Sequence, residues 1–63
     1  MKFAVGDKVR INSNCAYLWE GSIDADTTGH IIEVFTAHYA YLYRVDIGSD
    51  RWWLFKEDEI DHA

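Results

Sequence analysis

Proline is absent from this 63-residue chain, cysteine occurs once and glycine only four times. The single Cys15 excludes an intrachain disulfide, so the stapling that many small domains use is not available and a reducing compartment is the simpler setting. No run approaches the roughly 20 apolar residues of a membrane span. Met1 to Asp7 also lacks an apolar stretch long enough for a signal peptide, and a cytoplasmic protein with no membrane partner is expected. Positive charge is scarce: six Lys and Arg stand against eleven Asp and Glu, giving a net charge of −5. Non-specific binding to a phosphate backbone rests on clustered cations, so nucleic acid is a disfavoured partner and a protein with a basic surface a favoured one.

Hydrophobic residues make up 49% of the chain and charged residues 27%, a composition of folded rather than disordered chains. A chain of this length forms one domain, residues 1–63, and buries only about 60% of the surface its unfolded form exposes. Three Trp, four Tyr and three Phe supply the apolar area, each ring burying roughly 150–250 Å². The core is expected to be built from rings.

Val5 to Asn12 alternates apolar and polar residues after a Gly6-Asp7 turn, placing Val9 and Ile11 on one face of a first strand and Lys8 and Arg10 on the other. Asn12 to Thr28 reads as a long loop in which Tyr17, Leu18 and Trp19 pin the chain to the core. Loops of this length are often functional. Gly29 to Phe35 is the second strand, with a bulge that lets Ile31 and Val34 both reach the core. Thr36-Ala37-His38 is a short turn. Tyr39 to Ile47 carries the clearest period of two, with Tyr39, Tyr41, Tyr43, Val45 and Ile47 set against Ala40, Leu42, Arg44 and Asp46. Gly48-Ser49 is expected to form a primed turn with glycine at its first position, leading into a fourth strand from Arg51 to Phe55. Glu57-Asp58-Glu59 makes one tight turn before Ile60. Repeats and linkers are absent.

Five short strands, a long first loop and a one-turn 3-10 helix before the last strand resemble a Src-homology-3-like barrel. Val5 to Ile11, Gly29-x-Ile31-x-x-Val34, Tyr43-x-Val45 and Phe55-x-x-x-x-Ile60 carry the likeness, which implies an all-β, five-stranded barrel and no particular activity. Ile11 to Asn14, Gly29 to Glu33, Tyr41 to Val45 and Phe55 to Glu59 are similar in order and spacing to the YorP-type prophage proteins. That resemblance implies a phage or mobile-element origin. Trp52-Trp53 with Glu20, Asp24 and Asp26 superficially resemble the ligand grip of peptide-binding Src-homology-3 domains, but the Ala-Leu-Tyr-Asp-Tyr and Ser-Asn-Tyr signatures are missing, which argues against Pro-rich ligands.

The rings cannot all be interior in so small a domain. Tyr17, Trp19, Tyr39, Tyr41 and Trp52 are the candidates for an exposed aromatic patch, because rings give large contact area at low entropic cost. The plain alternative is that Trp53 and Tyr43 are core and the others cover strand edges. Glu20, Asp24, Asp26, Glu57, Asp58 and Glu59 are candidates for an acidic rim; the plain alternative is a solvated face plus acids favoured at the start of a helical turn.

Catalytic and metal signatures are missing. Asp24-x-Asp26-x-Thr28-Gly29 opens like a calcium loop, but the twelfth position is Phe35 rather than a bidentate Glu, so a turn is the better reading. Cys15, His30, His38 and His62 lack zinc spacing, and Cys15 reads as a structural thiol. Asp46 and Asp50 read as turn residues. No cofactor or enzyme activity is expected. The composition favours a protein-interaction module, monomeric or weakly dimeric; the alternatives are an acidic inhibitor of a host nucleic-acid enzyme, of anti-CRISPR or anti-restriction type, and nucleic-acid binding by aromatic stacking.

Overall fold

The computed structural model describes residues 2–24, 26–37 and 40–63. Five strands occur: β1 (Lys8–Ile11), β2 (Thr28–Ala37), β3 (Ala40–Gly48), β4 (Arg51–Lys56) and β5 (Ile60–His62). A short helix, α1 (Ala16–Trp19), lies in the first loop, and a 3-10 turn, Glu57–Glu59, joins β4 to β5. The strands form one antiparallel sheet in the order β4-β3-β2-β1-β5. No strand pairing joins β4 to β5 among the described residues, so the sheet is open and these two strands are its edges. Phe55 of β4 and Ile60 of β5 are nonetheless fully buried in one cluster, which requires the sheet to curl around its own concave face.

β1 alternates as its sequence dictates, with Val9 and Ile11 buried and Lys8 and Arg10 exposed. The expected Gly6-Asp7 turn precedes it: Asp7 N–H donates to Ala4 O (3.0 Å), and Asp7 Oδ2 accepts from Ala4 N–H (2.9 Å). The turn is tied to β2 through Gly6 N–H to Ile31 O (2.8 Å) and Ile31 N–H to Asp7 O (3.0 Å). In β2 the register slips between Ile31 and Glu33. That slip is the expected bulge: Ile31 is buried, Val34 packs on the core, and Ile32 is the extra residue turned outward.

The long loop contains a helix that periodicity could not reveal in four residues. Asn12 Oδ1 accepts from Asn14 N–H (2.9 Å) before its first turn. At its end Gly21 N–H donates to Leu18 O (3.2 Å) and Ser22 N–H to Tyr17 O (3.0 Å), with Gly21 at φ +76. These two bonds are a Schellman motif, which needs a residue of positive φ at Gly21.

β3 carries the expected alternation, with Tyr43 and Val45 fully buried and Tyr41 and Ile47 packed against them. The β3–β4 turn sits one residue later than expected. Gly48 pairs with Arg51, so Ser49 and Asp50 are its central residues, both of positive φ (55° and 59°) as a type I′ turn requires. Asp46 Oδ1 accepts from Gly48 N–H (2.8 Å) across a second register shift. β2 extends through Ala37 and β3 begins at Ala40; His38 and Tyr39 lie outside the described residues.

Candidate functional site

Strands β2, β3 and β4 turn alternate residues away from the core. Glu33 lies opposite Arg44 and Phe35 opposite Leu42 across β2 and β3; Arg44 lies opposite Leu54 and Asp46 opposite Trp52 across β3 and β4. These residues therefore share the outer face of a three-stranded meander. Five large apolar side chains are exposed among the described residues, and three belong here: Trp52 (51%), Ile32 (46%) and Leu54 (37%). An outer face of this kind normally carries polar residues, so the apolar enrichment makes it the candidate surface of this fold.

Arg44 is the centre of the face. Its guanidinium carbon lies 4.4 Å from the Trp52 ring centroid and 5.2 Å from that of Phe35. Its Nη1 donates to Glu33 Oε1 at 2.6 Å, and its Nε is buried without a partner among the described residues. The ion pair is half-exposed and contributes on the order of 0.2–1 kcal/mol; the ring contacts add about 0.5–1 kcal/mol. What the arrangement achieves is orientation. The flat guanidinium fixes Trp52 against the sheet while leaving half of its surface open.

The candidate rings do not form one patch. Tyr17 is half-buried, tilted on Trp53 at 4.7 Å and edge-on to Phe55 at 5.8 Å, so it acts as core. Trp19 is 81% exposed and does not pin the loop by burial; its Nε1 donates to Ser13 O (3.1 Å), and with Ser13 and Leu18 it borders a shallow cavity of about 260 Å³. Tyr41 has the inward parity of β3 and lines a separate cavity of about 420 Å³ with Ala40, Lys56, Glu57 and Asp58. Trp52 alone stands on the outer face. Tyr39 lies outside the described residues.

Several candidate acids are engaged within the fold. Glu57 Oε2 accepts from the Tyr43 hydroxyl (2.6 Å) and from Lys2 N–H (3.2 Å). The Tyr43 hydrogen bond holds the Glu57 carboxyl below its ordinary pKa, while burial, reinforced by Glu57, pushes the Tyr43 phenol up. Glu59 Oε1 accepts from Lys56 N–H (2.7 Å), capping the 3-10 turn. Asp58 offers its carbonyl to Asn12 Nδ2 (2.9 Å) and Asn14 Nδ2 (3.1 Å), which fastens the long loop to that turn. Glu20 is the exposed C-cap of α1, and Asp26 is an exposed turn residue at φ +66. Asp24 lines a cavity of about 160 Å³ with Arg51 and Ile47, and its carbonyl accepts from Thr27 Oγ1 (2.6 Å).

Cys15 is fully buried, and burial pushes its thiol pKa up, the state of a structural thiol rather than a nucleophile. No group of three or more His, Cys, Asp or Glu able to hold a metal occurs among the described residues. No helix among them is long and apolar enough to cross a membrane.

Phe35, Leu42, Arg44, Leu54 and Ile32 escaped the sequence reading of the site. The strand parity that identified the core contains them: apolar residues at outward positions on three neighbouring strands are a usable signal once the pairing order is known. Comparison with family models, curated proteins and solved structures finds no match to this chain.

Proposed function

We propose that this chain is a non-enzymatic protein-interaction module whose docking surface is the outer face of β2, β3 and β4. The observation that carries the reading is the set Ile32, Trp52 and Leu54, exposed together around Arg44 on one face. Buried against a partner, a half-open Trp held by a guanidinium is the kind of anchor that dominates interface energetics. The scaffold is a small barrel of Src-homology-3-like kind, acting in the cytoplasm, and its resemblance to YorP-type proteins favours a phage or mobile-element origin.

The acidic-inhibitor reading has less support, because Glu57 and Glu59 are committed to hydrogen bonds that build the fold. The outer face is also mixed in charge, with Arg44 and Lys56 beside Glu33 and Asp46. A basic partner surface is therefore not required.

Capture of a host protein by the immobilised chain, compared with Trp52→Ala, Leu54→Ser and Trp19→Ala, tests the proposal. Loss of capture in the first two and retention in the third is expected. Retention in both outer-face variants would remove the face from consideration.

A further inference from the structure

β4 is the longer of the two edges of this sheet and carries charged side chains only at its two ends, Arg51 and Lys56. Natural edge strands are kept from pairing by shortness, proline, charged side chains along the edge, bulges or covering segments. β5, at the other edge, is three residues long. β4 is six residues long, Arg51-Trp52-Trp53-Leu54-Phe55-Lys56, without proline. Only β3 pairs with it, and no backbone hydrogen bond joins it to a loop among the described residues.

Its free groups can be assigned. Lys56 N–H leaves the ladder to donate to Glu59 Oε1. In an antiparallel pair, residues alternate between bonding the neighbouring strand and pointing away from it. Leu54 and Trp52 share the parity of Lys56, so their N–H and C=O groups face the open side. Both residues are exposed.

We propose that the β4 edge docks a second copy of this chain, β4 against β4, antiparallel about a twofold axis at Trp53. A twofold perpendicular to the sheet keeps the core face of one copy beside the core face of the other, so residues of like parity must pair. Pairing Trp53 with itself sets Trp52 opposite Leu54 twice. Those two residues carry the free backbone groups, and the donor of Lys56 that Glu59 already occupies is not needed. The same register brings Lys56 of each copy beside the β3–β4 turn of the other, where Asp50 supplies an opposite charge at both ends. The register one step along, centred on Leu54, would set Trp52 opposite Lys56 and demand the occupied Lys56 donor. Six residues per copy fall well short of the roughly 20–30 a side of a standard interface, so the dimer is reversible. The inference stands apart from what the outer face binds, because it rests on backbone groups at the edge.

Sedimentation equilibrium from micromolar to millimolar concentration, with amide hydrogen exchange on the same samples, tests the proposal. A monomer–dimer equilibrium is expected, with protection of the Trp52 and Leu54 amides rising with concentration. Leu54→Pro removes a free donor without removing a bond to β3 and abolishes the dimer. Lys56→Glu opposes Asp50 across the axis and weakens dimerisation about tenfold more than Lys8→Glu, which makes the same change in net charge on β1. The Lys56→Glu and Lys8→Glu comparison decides the matter if Leu54→Pro does not fold. A monomer at all concentrations, a dimer without added protection of the two amides, or equal weakening by the two charge variants would overturn the proposal.

Discussion

The hydroxyl of Tyr43 donates a 2.6 Å hydrogen bond to Glu57 Oε2, joining the middle of β3 to the 3-10 turn between the two edge strands. The same hydroxyl lies within 3.3 Å of Lys2 N and 3.4 Å of Phe3 N, so one phenol gathers the N-terminal segment, β3 and the turn. The Phe3 ring meets the Tyr43 ring edge-on at 5.3 Å. A residue of inward parity thus fills the core with its ring and satisfies a carboxylate with its tip.

The Tyr43–Glu57 bond gives stability a direction in pH. Glu57 has a folded pKa below its ordinary value, chiefly because of the Tyr43 hydrogen bond. The unfolded chain therefore takes up this proton first as pH falls, and the contribution is present above the unfolded value and lost through the lower folded one. Tyr43→Phe is expected to be less stable than the parent at neutral pH, with the gap closing below about pH 4. Urea melts of both proteins at neutral and acidic pH measure it. A gap that stays constant into acid would show that Glu57 gains nothing from Tyr43.

Gly29 is required where β2 passes β3. A Cβ at this position would collide with the Asp46 carbonyl oxygen and lie 2.7 Å from Val45 Cγ1. Backbone has no rotamer with which to yield, so Gly29→Ala should cost roughly 1–3 kcal/mol, the range of overpacking. Urea denaturation reads the loss. A change below about 0.5 kcal/mol, typical of open surface sites, would mean that the two strands separate there at no cost.

Cys15 offers a probe of opening. Its thiol is fully buried and burial raises its pKa, so native-state modification by a thiol reagent should proceed only through unfolding and accelerate with urea. Cys15 is also the N-cap of α1, with the Tyr17 and Leu18 amides facing its thiol, so Cys15→Ser puts a stronger acceptor at a capping position and should change stability by less than about 1 kcal/mol. Rapid modification in water would place the thiol at the surface.

Strand parity was legible throughout, because Val9, Ile11, Tyr43, Val45 and Phe55 recur at the period of two that pleating imposes. The bulge at Ile32 was legible too, since Ile31 and Val34 could not otherwise share a face. Helix α1 was hidden for the opposite reason: four residues carry no period, and only Gly21 marked its end. The candidate site was harder to read. Trp52 and Tyr41 both belong to apolar strands, but which side of the sheet each faces, and which outward residues become neighbours, depends on strand order and on two register shifts. Sequence composition equally concealed that Glu57 and Glu59 serve the fold, because a net charge of −5 is uninformative about where each carboxylate points.

Variants of Arg44 separate the proposed docking role of the outer face from a purely structural one. Its Nε is buried without a partner among the described residues, at a cost of about 1–3 kcal/mol for an unmet donor, against gains of similar size from Glu33, Trp52 and Phe35. Arg44→Met keeps the stem, removes the unmet donor and should leave stability within about 1 kcal/mol of the parent. It also releases Trp52 from its cation, so Trp52 emission should shift and partner capture should fall. Arg44→Lys keeps the charge but not the planar stack, and should resemble Arg44→Met in emission. A loss above about 2 kcal/mol in Arg44→Met with unchanged capture would make Arg44 a strut of the sheet. The exposed rings around it would then be surface without a partner, and the docking face would have to be sought at Trp19 or Tyr41.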